Sequence, residues 1–119
     1  MISVNLTIVA GYVGDNPKVA TTSNGKKRVS FSLATTERGY TTKDGNTIPD
    51  KTEWHSIVAW GGLADIAEKY IGKGSAIYVQ GKNRTRTYDA ADGTKRYITV
   101  IDAESIQFLD PKEKNFVGL

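Results

Sequence analysis

Lys82, Arg84, Arg86 and Tyr88 alternate along one stretch, so in an extended chain all four side chains project to the same side. Three cations in line with a ring suit a polymer of repeating anionic groups and stackable planar groups, with phosphates meeting the cations and a base meeting the ring. A merely solvated hairpin face would carry mixed charge, yet no acid interrupts this row before Asp89, and the opposite row is Asn83, Thr85 and Thr87. Trp54, Ser56, Val58 and Trp60 share parity in the same way, which puts two indoles on one face while His55, Ile57 and Ala59 take the other. Two tryptophans on an anonymous strand are more often core than contact surface, so only the rest of the chain can shift that balance. Tyr40 stands in a hydrophilic stretch, where a ring has little local core to join and is as readily a packed loop anchor as a contact ring. Lys73 and Arg96 complete the candidate cations, and Lys26-Lys27-Arg28 is a second basic cluster with a supporting role.

Other chemistries find little material. The chain has no cysteine and one histidine, which removes thiolate catalysis, disulfide scaffolding and zinc-finger spacings together. His55 has no serine, cysteine or second histidine placed beside it by a recognisable motif, and the carboxylates are scattered among turns and the helix. No catalytic residue, metal site or cofactor is therefore expected. Gly72-Lys73-Gly74-Ser75 lacks the spacing of a phosphate-cradling loop and reads as the end of a helix. Residues 1–100 hold 14 Lys and Arg against 9 Asp and Glu, whereas residues 101–119 hold 2 against 4, so the basic excess lies in the body of the chain. No basic-then-apolar leader opens the sequence and no apolar run approaches the ~20 residues that span a bilayer, so a cytoplasmic, membrane-free protein is expected.

The elements that must position these residues are mostly strands. Val4–Ala10 alternates, then Gly11-Tyr12-Val13-Gly14-Asp15-Asn16-Pro17 bends or ends the strand. Asn24-Gly25 is a hairpin turn leading into Arg28–Ala34, where Val29, Phe31 and Leu33 share a face. The hydrophilic excursion from Thr35 to Lys51 has a length reserved for function or a protruding hairpin, with Asp44-Gly45 as its turn. A third strand, Glu53–Trp60, stops at Gly61-Gly62 before the single helix, whose apolar positions Leu63, Ile66, Ala67, Tyr70 and Ile71 follow helical spacing, with Leu63, Ile66 and Tyr70 read as core. Ser75–Gly81 is a fourth strand, and Asn83–Tyr88 pairs with Arg96–Ile101 across Ala91-Asp92-Gly93, the last strand running on to about Phe108. This order is that of an all-β, five-stranded Greek-key OB barrel with one short helix between strands 3 and 4 and long protruding hairpins. One domain over residues 1–110 is expected, followed by a short extension over 111–119.

Several segments together resemble the bacterial-type single-stranded DNA-binding proteins: Val9–Pro17, Phe31–Thr35, Thr52-Glu53-Trp54-His55, Leu63-Ala64 with Tyr70–Ser75, and Val79-Gln80-Gly81 with Arg84-Thr85-Arg86. The resemblance covers about residues 3–108 in order. It implies that Tyr40, Trp54, Trp60 and Tyr88 are base-stacking rings, that the chain coats single strands in replication, recombination and repair, and that it assembles as a homotetramer. The resemblance also implies an acidic, Phe-tipped tail that recruits replication and repair proteins; the sequence stops at Lys114-Asn115-Phe116-Val117-Gly118-Leu119, so recruitment by that route is not expected, and Gly62 stands where a basic residue is common. The alternative within the same fold is a replication-restart adaptor resembling primosomal protein n, which would not need the full set of four rings.

Overall fold

The computed structural model describes residues 1–109; the expected extension over 111–119 lies outside the described residues. In chain order the elements are β1 (Thr7–Val13), β2 (Lys18–Thr21), β3 (Lys27–Glu37), β4 (Tyr40–Thr41), β5 (Thr47–Ile48), β6 (Lys51–Trp60), α1 (Gly61–Tyr70), β7 (Ala76–Asp89) and β8 (Lys95–Phe108). β1, β7, β8, β6 and β3 pair in that order, and β3 returns to β1 through Tyr12↔Ala34 and Val13↔Leu33, which closes a ring; β2 adds to the far side of β3. Within the ring only β6 and β8 run parallel, meeting at Ile57↔Ile101 and Val58↔Asp102. A closed five-stranded ring with its helix between the third and fourth ring strands is the OB barrel expected from the element order.

The hairpins follow local turn chemistry. Gly25, Gly45 and Gly93 all have positive φ, and each donates its N–H back across its turn to the carbonyl of Thr22, Thr42 or Ala90. The outermost turn is reinforced by Thr94, whose N–H and hydroxyl both donate to Asp92 Oδ1 and hold that carboxyl below its ordinary pKa. In the long excursion β3 and β6 stay paired out to Glu37↔Lys51, and the small β4–β5 hairpin extends beyond them.

Strand alternation decides the core. Val29, Phe31 and Leu33 of β3 face Ile57 and Ala59 of β6 inside the barrel, with Val9, Ile77, Val79 and Ile101 completing the interior. Three expectations change. First, β1 begins at Thr7 and not Val4, because Asn5 substitutes a side chain for the backbone ladder: its Nδ2 donates to the Asn83 carbonyl at 2.9 Å and its Oδ1 accepts from the Asn83 N–H at 3.1 Å. The strand also continues through Gly11, where it passes from β7 to β3; a Cβ there would lie 2.0 Å from the Ala34 carbonyl oxygen. Second, the fourth strand and the first arm of the next hairpin are one element, β7, carried through a bulge at Gln80/Gly81. Third, Tyr70 and Ile66 are exposed at 60% and 42%, so they are not core. The helix lies against the barrel through Ala64, Ala67 and Ile71, with Leu63 partly buried, because small side chains let its backbone approach and leave the bulky ones at the rim.

Candidate nucleic-acid interface

The outer side of the barrel carries what its inner side cannot. On β6 the alternation that sends Ile57 and Ala59 into the barrel puts Trp54, Ser56, Val58 and Trp60 on the other face, where Val58 is itself covered at 1% exposure. Cross-strand partners share a face, so Arg28, Ser30, Ser32 and Ala34 of β3 flank that row on one side. On the other side Val58↔Asp102 leads to β8, and Asp102↔Lys82, Val100↔Arg84, Ile98↔Arg86 and Arg96↔Tyr88 carry the same face onto β7. Trp54, Trp60, Lys82, Arg84, Arg86, Tyr88 and Arg96 thus belong to one continuous outer surface. A groove of mixed character crosses it, lined by Ser30, Ser32 and Ser56 together with Val58, Ile98 and Val100, and bordered by Lys18 and Arg28. Ser56 and the buried Val58 separate the two indoles along β6 and keep this floor low.

Trp54 is 61% exposed, which excludes the core role its residue type favours. Its ring is seated on Gly14: a Cβ at that position would lie 2.3 Å from the ring edge, while the Gly14 N–H donates to the Ser32 carbonyl at 3.0 Å. Absence of a side chain at residue 14 therefore lets the indole lie against the backbone of the β1–β2 connection. Trp60 is half-buried, with Lys26 Nζ 5.6 Å and Arg28 Cζ 6.0 Å from a ring centroid, so two cations border it. The basic cluster therefore splits by parity. Lys27 points to the helix, pairing with Asp65 at 2.8 Å and Glu68 at 2.6 Å, and these partners raise its pKa above the ordinary lysine value.

Tyr88, 52% exposed, lies far along the β7–β8 arm, and Tyr40, 63% exposed, begins the β4–β5 hairpin and pairs with Ile48. Each stands on a projecting hairpin, apart from the two indoles on the barrel wall. Lys73 lies in the turn after α1, where its N–H donates to Asn16 Oδ1 at 3.0 Å and ties that turn to the β1–β2 connection. Arg96 pairs with Asp92 at 3.6 Å across the arm's tip.

The cation row of β7 is not free of acid. Along β7 no acid falls within the row, since Asp89 follows it at the end of the strand, but β8 places Asp102 and Glu104 beside it. Arg84 Nε is 2.6 Å from Asp102 Oδ2, Arg86 Nη2 is 2.9 Å from Oδ1 and 3.1 Å from Oδ2, and Lys82 Nζ is 3.4 Å from Glu104. The mixed charge that the row lacks along β7 arises across the ladder. His55 is accounted for structurally, its Nε2 lying 2.9 Å from the Thr35 hydroxyl. Among the described residues no group of three His, Asp or Glu could hold a metal ion, and no helix is long and apolar enough to cross a membrane.

Ring closure, helix placement and this aromatic, cationic outer face define the class: an OB barrel whose exposed wall is built for a planar, anionic ligand. The model of the single-strand binding protein family matches residues 4–109, and the chain belongs to that family. A single-stranded DNA-binding protein of Bacteroides thetaiotaomicron is 46% identical over 114 residues, covering 96% of this chain and 71% of the relative. One from Xylella fastidiosa is 39% identical over 115 residues, covering 97% and 84%. Among solved structures, the Plasmodium falciparum SSB in complex with ssDNA superposes with a TM-score of 0.80 at 33% identity, over 92% of this chain and 98% of that one.

Proposed function

We propose that this chain binds and protects single-stranded DNA, with little dependence on sequence and without catalysing a reaction on it, as a cytoplasmic protein of replication, recombination and repair. The observation that carries this reading is the shared outer surface, where the solvent-facing Trp54 ring and the Trp60 ring lie on the same wall as the cations of β7. Stacking is available to any base, which gives affinity without sequence choice, and the cations supply a salt-dependent share. Kinship with proteins named for single-stranded DNA binding, one of them solved with ssDNA, supports the same reading. Trp54, Trp60, Tyr40 and Tyr88 are the stacking rings in this proposal, and Lys73, Lys82, Arg84, Arg86 and Arg96 the phosphate-facing cations. A restart adaptor would not need all four rings.

Titration with oligothymidine at several salt concentrations tests the binding. Indole emission should fall on saturation, and log K should decline against log salt by about 0.7 per phosphate neutralised. A flat salt dependence would remove the cations from the interface, and unquenched emission would remove the indoles.

The proposal includes a homotetramer, supported by apolar side chains left on the outer surface of β1, where Ile8 is 52% and Tyr12 64% exposed. Light scattering at micromolar concentration should give a mass near four chains. A stable 13.0 kDa species would count against the assembly.

A further inference from the structure

Asp102 and Glu104 of β8 lie against the cation row of β7. Asp102 has only 18% of its side chain exposed, yet it accepts from both Arg84 and Arg86, and Glu104 stands against Lys82. One carboxylate against two guanidiniums leaves that trio at net positive charge, while Lys82 and Glu104 cancel. Arg86 Nε is buried and has no partner, so Asp102 satisfies only part of that guanidinium. A purely structural pair would be expected to use the fork of the arginine fully; here the acceptor is shared and the donors stay in excess.

We infer that Asp102 and Glu104 are built-in competitors for the nucleic-acid backbone, which limit the affinity of the β7 cation row and keep the bound strand exchangeable. This rests on the reading of the outer surface as a single-strand site. The reasoning is electrostatic. A phosphate approaching Arg84 comes within several ångströms of the Asp102 carboxylate, and a fixed negative charge at that range opposes binding in the same coin as the cations favour it. Arg84, 54% exposed against 39% for Arg86, is the guanidinium more open to exchange the carboxylate for a phosphate. Tightness is thereby traded for turnover, which suits a protein that must later leave the strand.

Asp102→Asn keeps the shape and removes the charge. At low salt it should bind oligothymidine about three- to tenfold more tightly. The salt slope should steepen by up to about 0.7, and dissociation in stopped flow should slow. Glu104→Gln, at an exposed pair with little folding risk, should shift all three readings the same way by a smaller amount. Asp65→Asn, which removes a carboxylate paired with Lys27 on the helix side, should leave affinity and slope near wild type. Folded variants with unchanged or weaker affinity and an unchanged slope would overturn the inference, as would Asp65→Asn tightening binding as much as Asp102→Asn. Should Asp102→Asn not fold, Glu104→Gln decides alone. If the wild-type protein itself failed to bind oligothymidine, the functional reading would fall before any variant was compared.

Discussion

Trp54→Ala should cost about 1–3 kcal/mol of oligothymidine binding, on the order of ten- to a hundredfold in Kd. The melting temperature should move by no more than about 2 °C. The two halves of this expectation have one source: a ring 61% exposed on the outer wall has given little burial to folding and has most of a face to offer a base. Trp60→Ala should weaken binding similarly, with a somewhat larger stability cost because Lys26 and Arg28 lie over its ring and it is half-buried. Trp60→Phe should keep most of the affinity, since a stacking ring remains. Isothermal titration and thermal melting on the same preparations separate the two quantities. A Trp54→Ala protein that melts far lower yet binds normally when folded would reverse the assignment. Gly14→Ala gives an independent approach to the same ring, because its added methyl would lie 2.3 Å from the Trp54 indole and must displace it. Affinity should fall although no atom of the ring has been removed.

Much of this arrangement is legible in the sequence because it is local. Alternation along Val29, Phe31 and Leu33 is a property of one strand, and so is the parity that sends Trp54 and Trp60 to the face opposite Ile57. Asn24-Gly25 and Asp44-Gly45 announce their turns because positive φ is a demand on a single residue. What escapes is set by contacts between distant segments. The acids opposing Lys82, Arg84 and Arg86 come from β8 through a register that passes a bulge at Gln80/Gly81, and reading along β7 cannot reveal them. Gly14 beneath Trp54 is a meeting of segments 40 positions apart, and in sequence that glycine reads only as a bend. Helical spacing named Tyr70 and Ile66 as core because it registers residue type; how close α1 sits to the barrel is set by Ala64 and Ala67, and that depends on the partner surface. Tyr70 instead meets Phe108 edge-on, with ring centroids 6.0 Å apart at the rim.

The largest stability loss is expected from Ile57→Ala, on the strand that also carries the indoles. Ile57 is fully buried, adjoins Phe31 on β3, and pairs with Ile101 at the parallel junction that joins β6 to β8. Truncation removes a buried branched side chain at a point where the ring cannot readily collapse, since strands on both sides are held by their own ladders. Loss of about 2–5 kcal/mol follows. A domain of this size has a stability of roughly 5–15 kcal/mol, so the variant would keep a folded population only at moderate temperature. At about 4 °C per kcal/mol the midpoint should fall by about 8–20 °C. Binding measured well below that midpoint should stay within about threefold of wild type, because the outer wall is held by the same backbone and the Ile57 side chain is fully buried in the core. Trp54→Ala and Ile57→Ala would thus form opposite patterns from positions three residues apart. Were Ile57→Ala to lose affinity as deeply as Trp54→Ala while still fully folded, the two faces of β6 would not be independent, and the division between a core that sets stability and a wall that sets binding would have to be abandoned.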